Sequence, residues 1–528
     1  MKKHLFIFLI TSAFYSLINA QQTSFSDSLI INVAPNTFWW AGIIRDGDKM
    51  PLVKPYQIDY KNDNLGNQVQ PLLLSTKGEV IWSDLPAIIN YTPGKLCVKG
   101  DSVTFQYHKA GQTLKEAYNF ASATYFPPSG KMPDPLLFSS PQYNTWIELV
   151  YNQNQNDVMA YARNILANGL PAGVLMIDDN WQEDYGNWNF HPGRFTNPKQ
   201  ILDSLHTLGF KVMLWVCPFV SPDSYVFRDL MDKKYFVTDE KGYPSMVKWW
   251  NGSSAVLDFT NPDAVAWFKA QLNKLTLEYH VDGFKLDAGD FRFYVNTNSF
   301  KPGATPSEQC EAFAQIGLDY PLNEYRAMWK MGGQPLAQRL HDKEHGFEAL
   351  QLLIPNMLVE GLMGYYFSCP DMIGGGEVSS FLNADKLDQE SIVRSAQCHA
   401  LMPMMQFSVA PWRVLDKEHL EAVKIAVAIR EKFKGYILEL AEHAAKTGEP
   451  IMKTMEFDYP NQGYATIVDQ FLLGDILVAP VLIKGAVKRS VVLPEGKWKS
   501  FDGQIFKGPK TIEVKVQLND LPYFEKIK

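Results

Sequence analysis

The chain has 528 residues, 46% of them hydrophobic and 13% aromatic, which is too long for one small domain and ample for a packed core. Its 50 Lys and Arg against 57 Asp and Glu leave a net charge of −7 spread along the chain, which argues against a nucleic-acid partner. The five cysteines are odd in number and lack CxxC spacing, so neither a disulfide framework nor a zinc site is expected, and buried free thiols are.

The first segment, 1–20 (MKKHLFIFLITSAFYSLINA), places Lys2 and Lys3 before an apolar stretch and ends on Ala20, the pattern of a cleavable secretory signal. Export to the periplasm or the medium is expected. A membrane anchor is the weaker alternative, because the apolar stretch is short for a bilayer and is interrupted by Thr11, Ser12 and Ser16. Residues 21–142 alternate short apolar and polar runs with turn signals at 61–67, 92–95, 99–101 and 127–130, which predicts a β-sandwich domain. The Pro-rich stretch FPPSGKMPDPLLFSSP (126–141) forms its linker.

From 143 to 448 the rhythm changes to strand and helix in alternation. TWIELVY, AGVLMIDD, FKVMLWVCPFV, GFKLD, PLAQRLHD and YYFSCPD read as strands. VMAYARNILANGL, NPKQILDSLHTLG, 261–281, FEALQLLIPNMLVEGLMG, SIVRSAQCHALM and 419–448 read as helices. Such repetition predicts an α/β fold, a (β/α)₈ TIM barrel, rather than an open sheet, which would usually carry a Gly-rich phosphate loop after its first strand. No GxGxxG or GxxxxGK[ST] stands there, so no nucleotide cofactor is expected. Residues 449–528, with QFLLGDILVAPVLI, RSVVLPEGKW and TIEVKV, predict a C-terminal β-sandwich domain.

Four of the strands end on carboxylates: Asp178 with Asp179, Asp287, Asp342 and Asp371. A lone strand-end Asp is usually a cap, but four converging on the carboxyl face of one barrel would repel one another without a use. Binding a divalent metal and cleaving a glycosidic bond are the two common uses. Trp181, Trp188, Trp215, Trp249, Trp250 and Trp412 lie at or just beyond strand ends, where about half are expected to meet a sugar ring and the rest to pack. Aromatics among carboxylates, with only 10 His and no metal-ligand spacing, favour sugar over metal.

GFKLDAGD (283–290) resembles the nucleophile signature of glycoside hydrolase family 31. WWNGSSAVLDFTNPDAVAWF (249–268), PDMIGGG (370–376) and DQFLLGDILVAPVL (469–482) are similar to later and earlier motifs of the same family, in the same order. The resemblance implies a retaining mechanism with Asp287 as nucleophile and Asp342, in RLHDKEHGFEALQLLIP (339–355), as acid/base. There the family's Trp-Ser-Gly lead-in is replaced by Arg339, Leu340 and His341, which leaves Glu344 as the competing proton donor. Asp287 should be ionised, with Lys285 or Arg339 as charge partner, and Asp342 protonated beside an anion in a desolvated site. No metal or other cofactor is implied.

IDDNW (177–181) departs from the family's usual Asp-x-Asp-Tyr and resembles the Asp-Asp-Gly-Trp of related α-galactosidases, in which paired Asp accept the 4- and 6-hydroxyls. LVEGLMGYYFSCPD (358–371) resembles the branch of the family holding the myogenesis-regulating glycosidase and bacterial α-galactosidases. α-Galactose is therefore the expected sugar, with α-glucosidase or α-xylosidase as the alternative. Expected substrate-binding residues are Asp178, Asp179, Trp181, Trp215, Trp249, Trp250, Lys285, Arg339 and Asp371. The expected partner is an oligosaccharide or other glycoside; no membrane span is expected, and the oligomeric state is open. Lys285 two residues before Asp287 also fits an enolase-type, magnesium-dependent barrel, and an inactive carbohydrate-binding protein is a further alternative.

Overall fold

A computed structural model describes residues 21–383 and 387–527; the expected export signal lies outside them. Eight short strands line up in parallel: β1 (Gln142–Asn144), β2 (Val174–Ile177), β3 (Lys211–Val216), β4 (Gly283–Leu286), β5 (Leu322–Tyr325), β6 (Gln338–Arg339), β7 (Ser368–Cys369) and β8 (Gln406–Phe407). Pairing runs β8-β1-β2-β3-β4-β5-β6-β7, and Ile373 N–H donates to the Gln406 carbonyl at 2.8 Å across the remaining β7/β8 gap, giving a nearly closed (β/α)₈ barrel. Every strand position but Lys211 is buried, as a sheet covered on both faces requires.

Local chemistry sets where the helices begin. Asn197 and Asn261 cap helices that open on Pro198 and Pro262, so the ring that cannot donate a hydrogen bond sits where no acceptor awaits it. Helix Pro262–Tyr279 ends on His280 in the left-handed region (φ 61°) and feeds β4. The long helix Lys417–Thr447 covers the last part of the barrel. Its buried Arg430 donates to the carbonyls of Phe138 and Pro403 at 2.5 and 2.6 Å, tying the entry of β1 to that of β8.

Two sequence expectations are corrected here. TWIELVY is not a strand: Trp146–Leu149 is a helical turn, and the strand is the more polar QYN before it. The turn expected at 99–101 lies inside the long strand Lys95–Lys109.

The N-terminal domain supplies seven antiparallel strands of an eight-stranded sheet, and the C-terminal domain is a six-stranded sheet with its own core around Trp498. The first is welded to the barrel: Met328–Trp329, from the β5–β6 connection, adds a parallel strand beside Gln68–Ser75. This pairing brings the turn 64–68 of the N-terminal domain against the carboxyl face of the barrel. Among the described residues no helix is long and apolar enough to cross a membrane. All five cysteines are unpaired, four buried and Cys97 half-buried.

Candidate active site

The carboxyl ends of the strands surround a cavity of about 590 Å³. Asp178, Asp179, Trp215, Trp250, Lys285, Asp287 and Asp342 line it, as expected from sequence. So do residues the sequence reading gave no site role: Arg45, Asp46, Asp63 and Gly66 from the N-terminal domain, and Trp146, Tyr151, Arg292, Arg326 and His341 from the barrel.

Asp287 follows β4, whose last residues Lys285 and Leu286 pair with Trp215 and Val216 of β3. Its Oδ1 accepts from Arg326 Nε (3.0 Å) and from the Ala288 backbone N–H (2.8 Å), and its Oδ2 from Trp215 Nε1 (3.0 Å). Ala288 sits in the left-handed region (φ 62°), a conformation costing a non-glycine residue on the order of 1–3 kcal/mol. Burial alone would push the Asp287 carboxyl up, but Arg326 first, then Lys285 and Arg339, hold it well below the usual carboxylate range. Arg326, at the end of β5, also forks onto Asp290 (3.1 and 2.9 Å) and lies 5.8 Å from the Trp250 ring centre. The charge partner of Asp287 is thus Arg326, with which it shares a direct contact, rather than the expected Lys285 or Arg339.

Lys285 pairs with Asp178 at 2.7 Å, both side chains buried. Burial opposes the ammonium, but Asp178, Asp287 and Glu324 together more than offset it and its pKa is raised, so Lys285 has no free lone pair for the base of an enolase-type reaction. Asp179 donates its backbone N–H to Asp178 Oδ1 (2.8 Å) and accepts from the Tyr185 hydroxyl at Oδ1 (3.0 Å); its buried Oδ2 has no protein partner. Burial, and then the Asp178 charge, push Asp179 up to about 7.

Arg339 lies beneath the cavity floor, not in it. It bonds Glu324 (3.1 Å), Asp342 (2.6 Å) and Asp371 (3.1 Å). Asp371 is also buried, accepting the Lys343 and Gly376 backbone N–H groups at 2.6 and 3.0 Å. Both were expected to touch sugar; the barrel instead uses them to hold the loop that carries Asp342. Burial first, and then Asp342, raise Asp371 to about 6. Asp342 reaches the cavity, whereas Glu344 is exposed outside it. The partner expected beside Asp342 was an anion, and the structure adds a cation, Arg339, at 2.6 Å.

Two tryptophans expected at the sugar are core. Trp181 is fully buried, donates to the Trp215 carbonyl at 2.8 Å and packs on Phe190. Trp249 bonds Ser254 and packs beneath Trp250 and Tyr185, while Trp250 itself is 43% exposed on the cavity wall. Trp188 and Trp412 likewise pack, on Phe268 and Tyr161. Among the described residues no cluster of three or more His, Cys, Asp or Glu is placed to hold a metal ion.

Comparison with known proteins gives two family matches, the Glycosyl hydrolases family 31 TIM-barrel domain over residues 137–440 and the Glycosyl hydrolase family 31 C-terminal domain over 448–527. The chain is 34% identical over 429 residues to the myogenesis-regulating glycosidase of Mus musculus, covering 78% of this chain and 60% of the mouse protein. It is 24% identical over 481 residues to alpha-xylosidase XylQ of Lactiplantibacillus pentosus, covering 84% of this chain and 60% of that one. The chain therefore spans about 60% of the length of these curated relatives. Its fold superposes on the Flavobacterium johnsoniae dextranase FjDex31A complexed with glucose, with a TM-score of 0.82 at 20% identity, over 94% of this chain and 66% of the other.

Proposed function

The chain belongs to glycosyl hydrolase family 31, and from that premise we propose that it is a retaining, exo-acting α-glycosidase that releases a terminal α-linked sugar, α-galactose before others. Asp287 is the nucleophile and Asp342 the acid/base. The observation that carries this reading is the pairing of an ionised, three-donor carboxylate at 287 with a second carboxylate at 342 that opens on the same cavity.

Asp287 Oδ2, which accepts one hydrogen bond where Oδ1 accepts two, bonds to the anomeric carbon as the glycosidic C–O bond breaks. The leaving oxygen takes its proton from Asp342. In the second half, Asp342 takes a proton from water, the water oxygen bonds to the anomeric carbon and the ester to Asp287 breaks, so the configuration is kept. Asp342 and Asp371 lean on the same Arg339 nitrogen, and Asp371 is further held by the Lys343 and Gly376 backbone N–H groups, which fixes the loop from which Asp342 faces the substrate.

The preference for galactose rests on Asp178 and Asp179, adjacent carboxylates that both line the cavity beside Asp287, Asp178 held by Lys285 and Asp179 by the Tyr185 hydroxyl. An axial 4-hydroxyl and the 6-hydroxyl lie on one side of a galactose ring, where adjacent carboxylates can take both. A sugar that leaves a buried carboxylate oxygen unpaired forfeits roughly 1–3 kcal/mol. The alternative, α-xylosidase or α-glucosidase, draws on the relatives, since one of them is named an alpha-xylosidase. A panel of p-nitrophenyl α-glycosides of galactose, glucose, xylose and N-acetylgalactosamine tests the assignment. Galactose should be released fastest, and faster cleavage of glucose or xylose would overturn it.

A further inference from the structure

His341 occupies the position directly before Asp342, and its ring lines the cavity. Its tautomer is fixed by a chain of hydrogen bonds from the N-terminal domain. Gln68 Nε2 donates to the Arg339 carbonyl (2.9 Å), which turns Gln68 Oε1 toward Asn67. Asn67 Nδ2 donates to that oxygen (2.6 Å), which turns Asn67 Oδ1 toward His341. Oδ1 then accepts twice, from the His341 backbone N–H (3.0 Å) and from ring Nδ1 (2.8 Å). An amide oxygen cannot donate, so Nδ1 carries the hydrogen. Burial, with Lys343, Arg45, Arg326 and Arg339 around it, holds the ring well below the usual histidine pKa, and it stays neutral. Nε2 therefore keeps its lone pair. Among the described residues that atom has no protein partner and is not sealed from solvent, so it opens on the cavity.

We propose that His341 Nε2 accepts a hydrogen bond from a hydroxyl of the leaving group, a second sugar or a polyol, with Asn67 holding the ring in the Nδ1–H tautomer. The proposal rests on the glycosidase reading above. The sugar being cleaved meets Asp178, Asp179 and Asp287, just beyond β2 and β4, whereas His341 neighbours the residue that protonates the leaving oxygen and faces the N-terminal domain. The N-terminal domain thereby sets which aglycones are accepted.

The test compares two substrates of whichever sugar the wild-type enzyme prefers: its α-fluoride, whose leaving group has no hydroxyl, and an α-linked disaccharide. His341→Phe should lose about 5- to 10-fold in kcat/KM on the disaccharide, the worth of one neutral hydrogen bond, and stay within about two-fold on the fluoride. Equal losses on both, or none on the disaccharide, would overturn the proposal. Neutron diffraction from wild-type crystals needs no variant to fold; it should show deuterium on His341 Nδ1 and none on Nε2, and the reverse would also overturn it. A wild-type enzyme that cleaves neither substrate would take down the glycosidase reading and this proposal together, whereas normal wild-type turnover with equal losses in the variant would remove the proposal alone.

Discussion

Replacing Arg326 by Met should expose how Asp287, the proposed nucleophile, is kept ionised. Arg326 holds Asp287 at 3.0 Å, Asp290 at 2.9 and 3.1 Å and the Gly66 carbonyl at 2.5 Å, and it is the largest influence lowering the pKa of Asp287. Breaking a buried ion pair from one side costs about 3–5 kcal/mol, because the remaining charge stays buried without a partner. The sign with pH follows from Asp287. Its pKa is depressed in the folded wild type, so the stability it contributes is present above its unfolded value of about 3.9 and is lost as pH falls toward the folded one. In Arg326→Met that contribution is gone, so the deficit against wild type should be largest at neutral pH and narrow near pH 4. Thermal melts at pH 4 and 7 measure the deficit, and kcat/KM against pH should gain an ascending acidic limb that the wild type lacks over the same range. Adding Asp290→Asn removes one stranded carboxylate and should recover part of the loss, since the two sites share a partner. A deficit independent of pH, or an unchanged acidic limb, would refute the reasoning.

Asp342→Ala should lose far more activity toward poor leaving groups than toward good ones, because only the former need the proton; equal losses across a series of aryl glycosides would remove Asp342 from that role. Gly376→Ala should cripple kcat while sparing the rest of the fold: a Cβ there would stand 2.8 Å from Asp342 Oδ1 and 2.7 Å from Asp371 Oδ1, and a variant with normal kcat would show that Asp342 need not stay where it is. For Asp179, raised to about 7, the stability it contributes is present below its unfolded value of about 3.9 and lost as pH rises through about 7. Asp179→Asn should therefore melt progressively higher relative to wild type from pH 4 to 8 in the absence of sugar, while turnover falls by about 10²-fold or more; a constant difference in melting temperature would contradict the buried-charge explanation.

Asp287 was legible in the sequence because an apolar strand stops abruptly on it, and Asp178 and Asp179 for the same reason. Arg326 was not. Its strand, LNEY, buries Glu324 in the barrel interior and Asn323 against the Tyr320 and Pro335 carbonyls on the opposite face, so no apolar run marks it. The same is true of QYN, QR and QF. Gln406 Nε2 donates to Gln142 Oε1 (3.0 Å) and Glu324 Oε2 (2.5 Å), and Arg339 Nε to Glu324 Oε1 (3.1 Å). These strands share a buried hydrogen-bonded layer that hydropathy reads as loop. Trp181 and Trp215 illustrate a second limit. Both stand near strand ends, but Trp215 lies in β3, where its indole reaches Asp287, whereas Trp181 lies beyond β2 and donates to the Trp215 carbonyl. The contribution of Asn67 and Gly66 depends on a strand pairing between segments some 260 residues apart, which no local pattern records.

The most direct test is to trap the enzyme with a fluorinated α-galactoside that forms the covalent intermediate faster than water releases it, and to map the label by peptide mass spectrometry. The adduct should fall on Asp287, and NMR of turnover on an unmodified substrate should show the α-anomer first. A label on another side chain, or a β-anomer as first product, would contradict the role given to Asp287.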